Sequence, residues 1–91
     1  VNAIMNMIVK EMNIMADQYT YNRTWEEIEE MLDNAERKQH FHSIKTGDTS
    51  LGKKERMYHA RAFKGLEGVI NALRWTLGDR KMTRKKVLGD E

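Results

Sequence analysis

Three histidines, His40, His42 and His59, are the residues of this chain with the chemistry to bind a transition metal. Neutral imidazoles bind zinc and copper in sites that further histidines, cysteines or carboxylates complete. On a helix, however, His40 and His42 lie about 200° apart and do not point at one ion. The chain has no cysteine and no HExxH pair of histidines. We therefore expect solvated or interfacial histidines and no metal site.

Four acidic residues form two overlapping Glu-x-x-Glu spacings, at Glu26, Glu27, Glu29 and Glu30. This pattern resembles the magnesium sites of all-α nucleotide pyrophosphohydrolases, which also need a second acidic pair on another helix. The later part of the chain offers only Glu55 and Glu67, twelve residues apart. The second pair is therefore missing, and we interpret the four carboxylates as the solvated first turns of a helix, where the helix dipole favours negative charge without any metal.

A glycine-containing turn from Gly47 to Gly52 is followed by Lys53 and Lys54, an order close to that of a phosphate-binding loop. The match breaks at Lys54, where that loop requires Ser or Thr, and an all-helical context supplies no preceding strand. The sequence also has no Gly-x-Ser-x-Gly or Cys–His arrangement for a nucleophile. We predict no catalytic residue, no cofactor and no enzyme activity.

Composition limits the elements that can position these residues. Ninety-one residues are enough for one domain, and the chain combines no proline with frequent helix-forming residues. No apolar run approaches the roughly 20 residues that cross a bilayer, so we expect no membrane contact. The absence of cysteine suits a reducing compartment, and we expect the cytoplasm.

Apolar residues recur at three- and four-residue steps and predict helices over about 3–17, 24–44 and 50–77. Thr24 and Glu27 fit a capping box at the start of the second helix. Gly65 and Gly68 within the third helix permit either close packing against another helix or a bend, and we prefer close packing. Gly78 suits the end of this helix. The expected fold is all-α, a single domain over 1–79 that forms a helical hairpin or three-helix bundle with one long C-terminal helix.

We expect the long helix to extend over roughly 40 Å, which is too long for the first helix alone to cover. Its apolar row consists of Tyr58, Ala62, Leu66, Val69, Leu73 and Leu77. Two chains that share this row would bury more apolar area, and two-fold symmetry is the commonest such arrangement. We therefore favour a homodimer, with a compact three-helix monomer as the alternative. The predicted self-association residues are Met7, Met12, Trp25, Leu66, Val69 and Leu73.

Charge is divided unevenly along the chain. Residues 1–36 hold 2 basic and 8 acidic side chains, whereas residues 37–91 hold 14 basic and 6 acidic ones. Either the two halves neutralise each other, or the basic half binds an anionic partner. The predicted nucleic-acid-binding residues are Lys53, Lys54, Arg61, Lys64, Arg80, Lys81, Arg84, Lys85 and Lys86. The last five lie in a basic tail, 80–91, that we expect to be mobile.

These patterns leave two function classes open. The first is a regulatory or adaptor module that binds itself and another protein, since Trp, Met and Arg are enriched at such interfaces. The second is a protein that binds nucleic acid without reading its sequence, because cationic side chains neutralise phosphates. We prefer the first.

Overall fold

The computed structural model describes residues 18–90, and three helices form there without any strand. Helix α1 spans Trp25–Thr46, α2 spans Lys53–Thr76 and α3 spans Arg84–Leu88. The all-α class is therefore confirmed. The predicted helix over 3–17, with Met7 and Met12, lies outside the described residues. No described helix combines the length and the apolar character needed to cross a membrane.

Helix α1 begins where the capping pattern predicted. The Thr24 hydroxyl accepts a hydrogen bond from the Glu27 backbone N–H at 3.1 Å, which satisfies one of the N–H groups that a helix start leaves without a partner. The Glu27 carboxylate contacts Arg23 Nη1 at 3.4 Å. Helix α1 ends at Thr46, two residues beyond the predicted end.

The turn between α1 and α2 differs from the prediction. We expected the next helix to begin at about residue 50, but α2 begins at Lys53 with Gly52 as its N-cap. The Asp48 carboxylate instead accepts from the Ser50 N–H at 2.9 Å and from the Ser50 hydroxyl at 2.6 Å. These bonds close a side-chain turn over the residues that would otherwise form the first helical turn.

The far end of α2 follows the prediction. Gly78 adopts a left-handed conformation, with φ of +86°, just beyond the last helical residues. The Asp79 N–H donates to the Arg74 carbonyl at 2.9 Å, which satisfies a carbonyl group of the last turn.

Helices α1 and α2 form an antiparallel hairpin. Glu36 pairs with Arg74 at 3.5 Å, whereas His42, farther along α1, meets His59, earlier in α2. The two helices run in opposite directions, because the later residue of α1 contacts the earlier residue of α2.

The predicted basic tail contains a short helix that we did not predict. The hydroxyl of Thr83 accepts from the Lys86 N–H at 3.2 Å, and Gly89 ends α3 in a left-handed conformation. Helix α3 then lies beside α2, where Lys86, Val87 and neighbouring residues line one groove with Gly68.

Candidate interaction surface

The hairpin buries few side chains completely. Among residues 18–90, Ala35 and Ile70 are the buried apolar residues, and His42 is the buried polar one. When two helices pack only against each other, their outer sides remain in water. The hairpin therefore keeps large apolar side chains exposed along its length.

Apolar side chains of both helices meet in a groove between α1 and α2. Leu66, Val69 and Leu73 follow one another in α2 at three- and four-residue steps, which places them on one side of that helix. Leu73 lines a groove of about 340 Å³ together with Ile28 and Met31 of α1. We call these five residues the apolar face.

Exposure is uneven within the apolar face. Ile28, Leu66 and Leu73 are half-buried, since they lie close to the helix–helix contact. Val69 keeps 44% of its surface exposed and Met31 keeps 56%. Water therefore contacts the outer members of the face, and a partner would gain free energy by covering them.

Charged residues border the groove at one end. Arg23 and Glu27 line it beside the apolar residues. Their exposed ion pair brings both charge signs to the rim of the face. A polar rim around an apolar centre is the usual arrangement of a protein interface.

The predicted self-association residues separate in the structure. Leu66, Val69 and Leu73 belong to the apolar face. Trp25 lies at the first turn of α1 and keeps 62% of its surface exposed. The structure does not place Trp25 in the groove that Ile28 and Met31 line.

A second apolar surface lies where α3 meets the end of α2. Trp75, Arg84, Val87 and Leu88 line an open cavity of about 290 Å³ there. Sequence reasoning missed this surface because it treated the tail as unstructured. The signal was Thr83 followed by three helix-forming cations and then Gly89, a cap at each end of a short helix.

The predicted nucleic-acid-binding residues are all exposed. Helix α3 brings some of them together, because Lys86 and Lys64 line the same groove. Two of these side chains have partners within the chain. Lys64 pairs with Glu67 at 3.2 Å, and the Lys86 ammonium donates to the Lys81 carbonyl at 3.2 Å. Each of these contacts is exposed to solvent, where such pairs contribute little to stability.

A pair of histidines joins the two long helices near the turn. The Nδ1 atoms of His42 and His59 lie 2.8 Å apart, and the ring centroids are separated by 5.0 Å. The rings of Phe41 and Tyr58 flank the pair in edge-on contacts. Sequence reasoning considered these histidines but did not foresee that His42 and His59 would meet.

His42 lies in an environment that disfavours its charged form. Only 6% of its surface is exposed. Burial, followed by the charge of His59 and that of Lys38, lowers the pKa of His42 below the ordinary 6.5. His42 is therefore predominantly neutral at pH 7.

Within residues 18–90, no group of three or more His, Asp or Glu side chains lies close enough together to hold a metal ion. In particular, the predicted separation of His40 from His42 holds, because His40 is exposed whereas His42 is buried.

Comparisons with known protein families, curated proteins and solved structures give no match to this chain.

Proposed function

We propose that this protein is a non-catalytic interaction module that pairs with a second copy of itself through the apolar face, and that the pair serves as an adaptor for other proteins. The observation that carries this proposal is the exposure of two apolar side chains. Met31 lies exposed in the groove that Leu73 lines, and Val69 lies exposed on the side of α2 that carries Leu73. Surfaces of this kind on small proteins are commonly interaction sites.

A second copy is a suitable occupant on two grounds. The described hairpin buries only Ala35 and Ile70 as apolar core, so a further apolar contact would add substantially to its stability. Two-fold symmetry also places the same patch on both sides of an interface. Arg23 of one copy would then be available to Glu27 of the other at the rim.

The decisive experiment is a measurement of molar mass in solution by sedimentation or light scattering, with two matched variants. Val69→Glu places a charge in the apolar face, and Met57→Glu places one elsewhere on α2. The two positions are equally exposed, at 44% and 45%, and both lie within the same helix. We expect a dimer for the wild type and for Met57→Glu, and a monomer of unchanged helix content for Val69→Glu, because a carboxylate buried in the interface would lose its hydration.

A wild type that remains monomeric at high concentration would contradict the proposal. If Val69→Glu also lowered the melting temperature of such a monomer, then the face is covered within one chain, as the three-helix alternative requires. Equal masses for all three proteins would exclude Val69 from any interface.

A second candidate function is sequence-tolerant nucleic-acid binding. The observation that favours it is the exposure of all nine predicted basic residues. In addition, α3 places Lys86 in the same groove as Lys64 of α2. A cationic surface of this kind releases condensed counterions when it binds phosphates.

Fluorescence anisotropy with labelled duplex and single-stranded DNA and RNA tests this candidate at about 50 and 200 mM salt. A nucleic-acid binder should lose affinity by about tenfold or more between these conditions. Its affinity and its salt dependence should both fall when the five basic residues of the tail become alanine, at Arg80, Lys81, Arg84, Lys85 and Lys86. An interaction module should keep its protein contacts in that variant, and no binding at low salt would remove this candidate.

A further inference from the structure

The contact between His42 and His59 depends on how many protons the two rings carry. An Nδ1-to-Nδ1 hydrogen bond at 2.8 Å needs one N–H donor and one lone pair. The donor ring can gain a proton at its other nitrogen without losing this bond. The acceptor ring cannot be protonated at Nδ1, because two N–H groups would then face each other.

We propose that the His42–His59 pair is a proton-sensitive latch between α1 and α2, closed while the pair holds at most one added proton and opened by the second. The latch lies close to the turn, and it joins a buried side chain of α1 to a half-buried one of α2. This inference does not rest on the proposed self-association.

Burial and the positive charges of His59 and Lys38 oppose protonation of His42. On α1, Lys38 adds a positive charge that acts on His42, and Lys45 lies over the Phe41 ring at 5.7 Å. On α2, the neighbouring Tyr58 ring contacts both histidines.

The turn and the first part of α2 carry further charged groups, among them Arg56, Asp48 and Glu55. Arg56 of α2 is a further cation. Asp48, in the turn, accepts two hydrogen bonds from Ser50 and interacts with the charges of Lys45 and Arg56. No carboxylate contributes to the pKa shift of His42.

The direction of the pH effect follows from these contacts. The pKa of His42 is lowered in the folded chain, so the unfolded chain binds more protons below about pH 6.5. The latch therefore stabilises the hairpin fully above this pH, and its contribution is lost as the pH falls below it. Histidine is the only side chain whose ordinary pKa lies between pH 5 and 8, so variants of single histidines can separate the contributions to the pH effect.

The test is chemical denaturation of the full chain between pH 7.5 and 5.5 at low protein concentration, with two asparagine variants. In His42→Asn, an amide atom occupies the place of Nδ1 and can donate to or accept from His59, but it does not titrate. His40→Asn removes an exposed histidine from the same helix and is the control.

We expect the unfolding equilibrium constant of the wild type to rise on acidification, by at most about tenfold per pH unit for one proton. His40→Asn should keep this dependence, whereas His42→Asn should lose most of it. A flat wild-type profile, or a wild-type dependence that persists in His42→Asn, would overturn the proposal.

Imidazole NMR titration of the wild type tests the latch even if His42→Asn does not fold. Full protonation of both His42 and His59 should occur only together with faster amide exchange in α1 and α2 near the turn. Full protonation of both rings in a hairpin with unchanged exchange would also overturn the proposal.

Discussion

At the scale of single residues, Asp48 shows how one side chain sets the length of a turn. Its carboxylate binds both the N–H and the hydroxyl of Ser50. The bond from the Ser50 hydroxyl, followed by the bond from its N–H, lowers the pKa of Asp48 below the ordinary 3.8. The charges of Lys45 and Arg56 lower this pKa further. A lowered carboxyl pKa means that the charged form is bound more favourably in the folded chain than in the unfolded one.

Asp48→Ala should therefore lower the melting temperature at pH 7, because it removes both bonds to Ser50. The contribution of the Asp48 carboxylate to the stability is present above pH 3.8 and is lost as the pH falls below that value. Thermal unfolding at pH 7 and near pH 3 checks this, and the difference between wild type and variant should shrink at the lower pH. Asp48→Asn, which keeps an acceptor oxygen, is the control and should lose less. Equal melting temperatures for Asp48→Ala and the wild type at pH 7 would show that the turn does not depend on this carboxylate.

For the histidines, the sequence predicts the relation within one helix but not the contact between two helices. Helical spacing shows that His40 and His42 diverge, and this requires only the geometry of one helix. The contact of His42 with His59 depends on the register between α1 and α2. That register is set by packing around Ala35 and Ile70 and by the length of the turn, neither of which the spacing of histidines reveals.

At the scale of elements, the two long helices were predictable because each extends over many turns of periodic apolar residues. The cap at Thr24 and the glycine at Gly78 also act through their nearest neighbours in sequence. The start of α2 was placed too early, because Asp48 is as good a turn former as it is a helix cap. Helix α3 was missed because five residues are too few for a periodic pattern.

The two glycines inside α2 correct another expectation. We predicted that Gly65 and Gly68 allow a second helix to approach closely, but a Cβ at either position would meet no atom of residues 18–90 within 4 Å. The close-packing prediction is therefore wrong for the described structure. Each glycine loses more backbone entropy than alanine would when α2 forms. No described atom needs the space that the missing Cβ leaves.

Gly65→Ala and Gly68→Ala should each raise the free energy of unfolding by about 0.5–1 kcal/mol, since alanine loses less entropy in a helix. Gly78→Ala is the matched control, because its φ of +86° strains any residue with a Cβ, and it should lower the free energy of unfolding by about 1 kcal/mol. Urea denaturation measures all three. A loss of stability in Gly65→Ala or Gly68→Ala would show that another surface covers that position.

At the scale of the whole molecule, the ion pair between Glu36 and Arg74 joins an acidic part of the chain to a basic one. This contact supports the interpretation in which the two halves partly neutralise each other. It leaves the tail cations exposed, however, so neutralisation between α1 and α2 does not account for the full charge division. The apolar side chains show the same incomplete pairing, since α1 covers only one side of α2.

If a second chain completes that pairing, folding and association are linked, and the melting temperature must rise with protein concentration. A tenfold increase changes the free energy of association by about 1.4 kcal/mol, or half of this per chain. For a domain of this size that corresponds to a rise of roughly 3 to 6 °C. Calorimetry or circular dichroism over a hundredfold concentration range measures the rise, which should persist in Met57→Glu and vanish in Val69→Glu. A wild-type melting temperature that is independent of concentration would mean that one chain reaches its full stability alone, and the exposed side chains of α2 would then need a different partner.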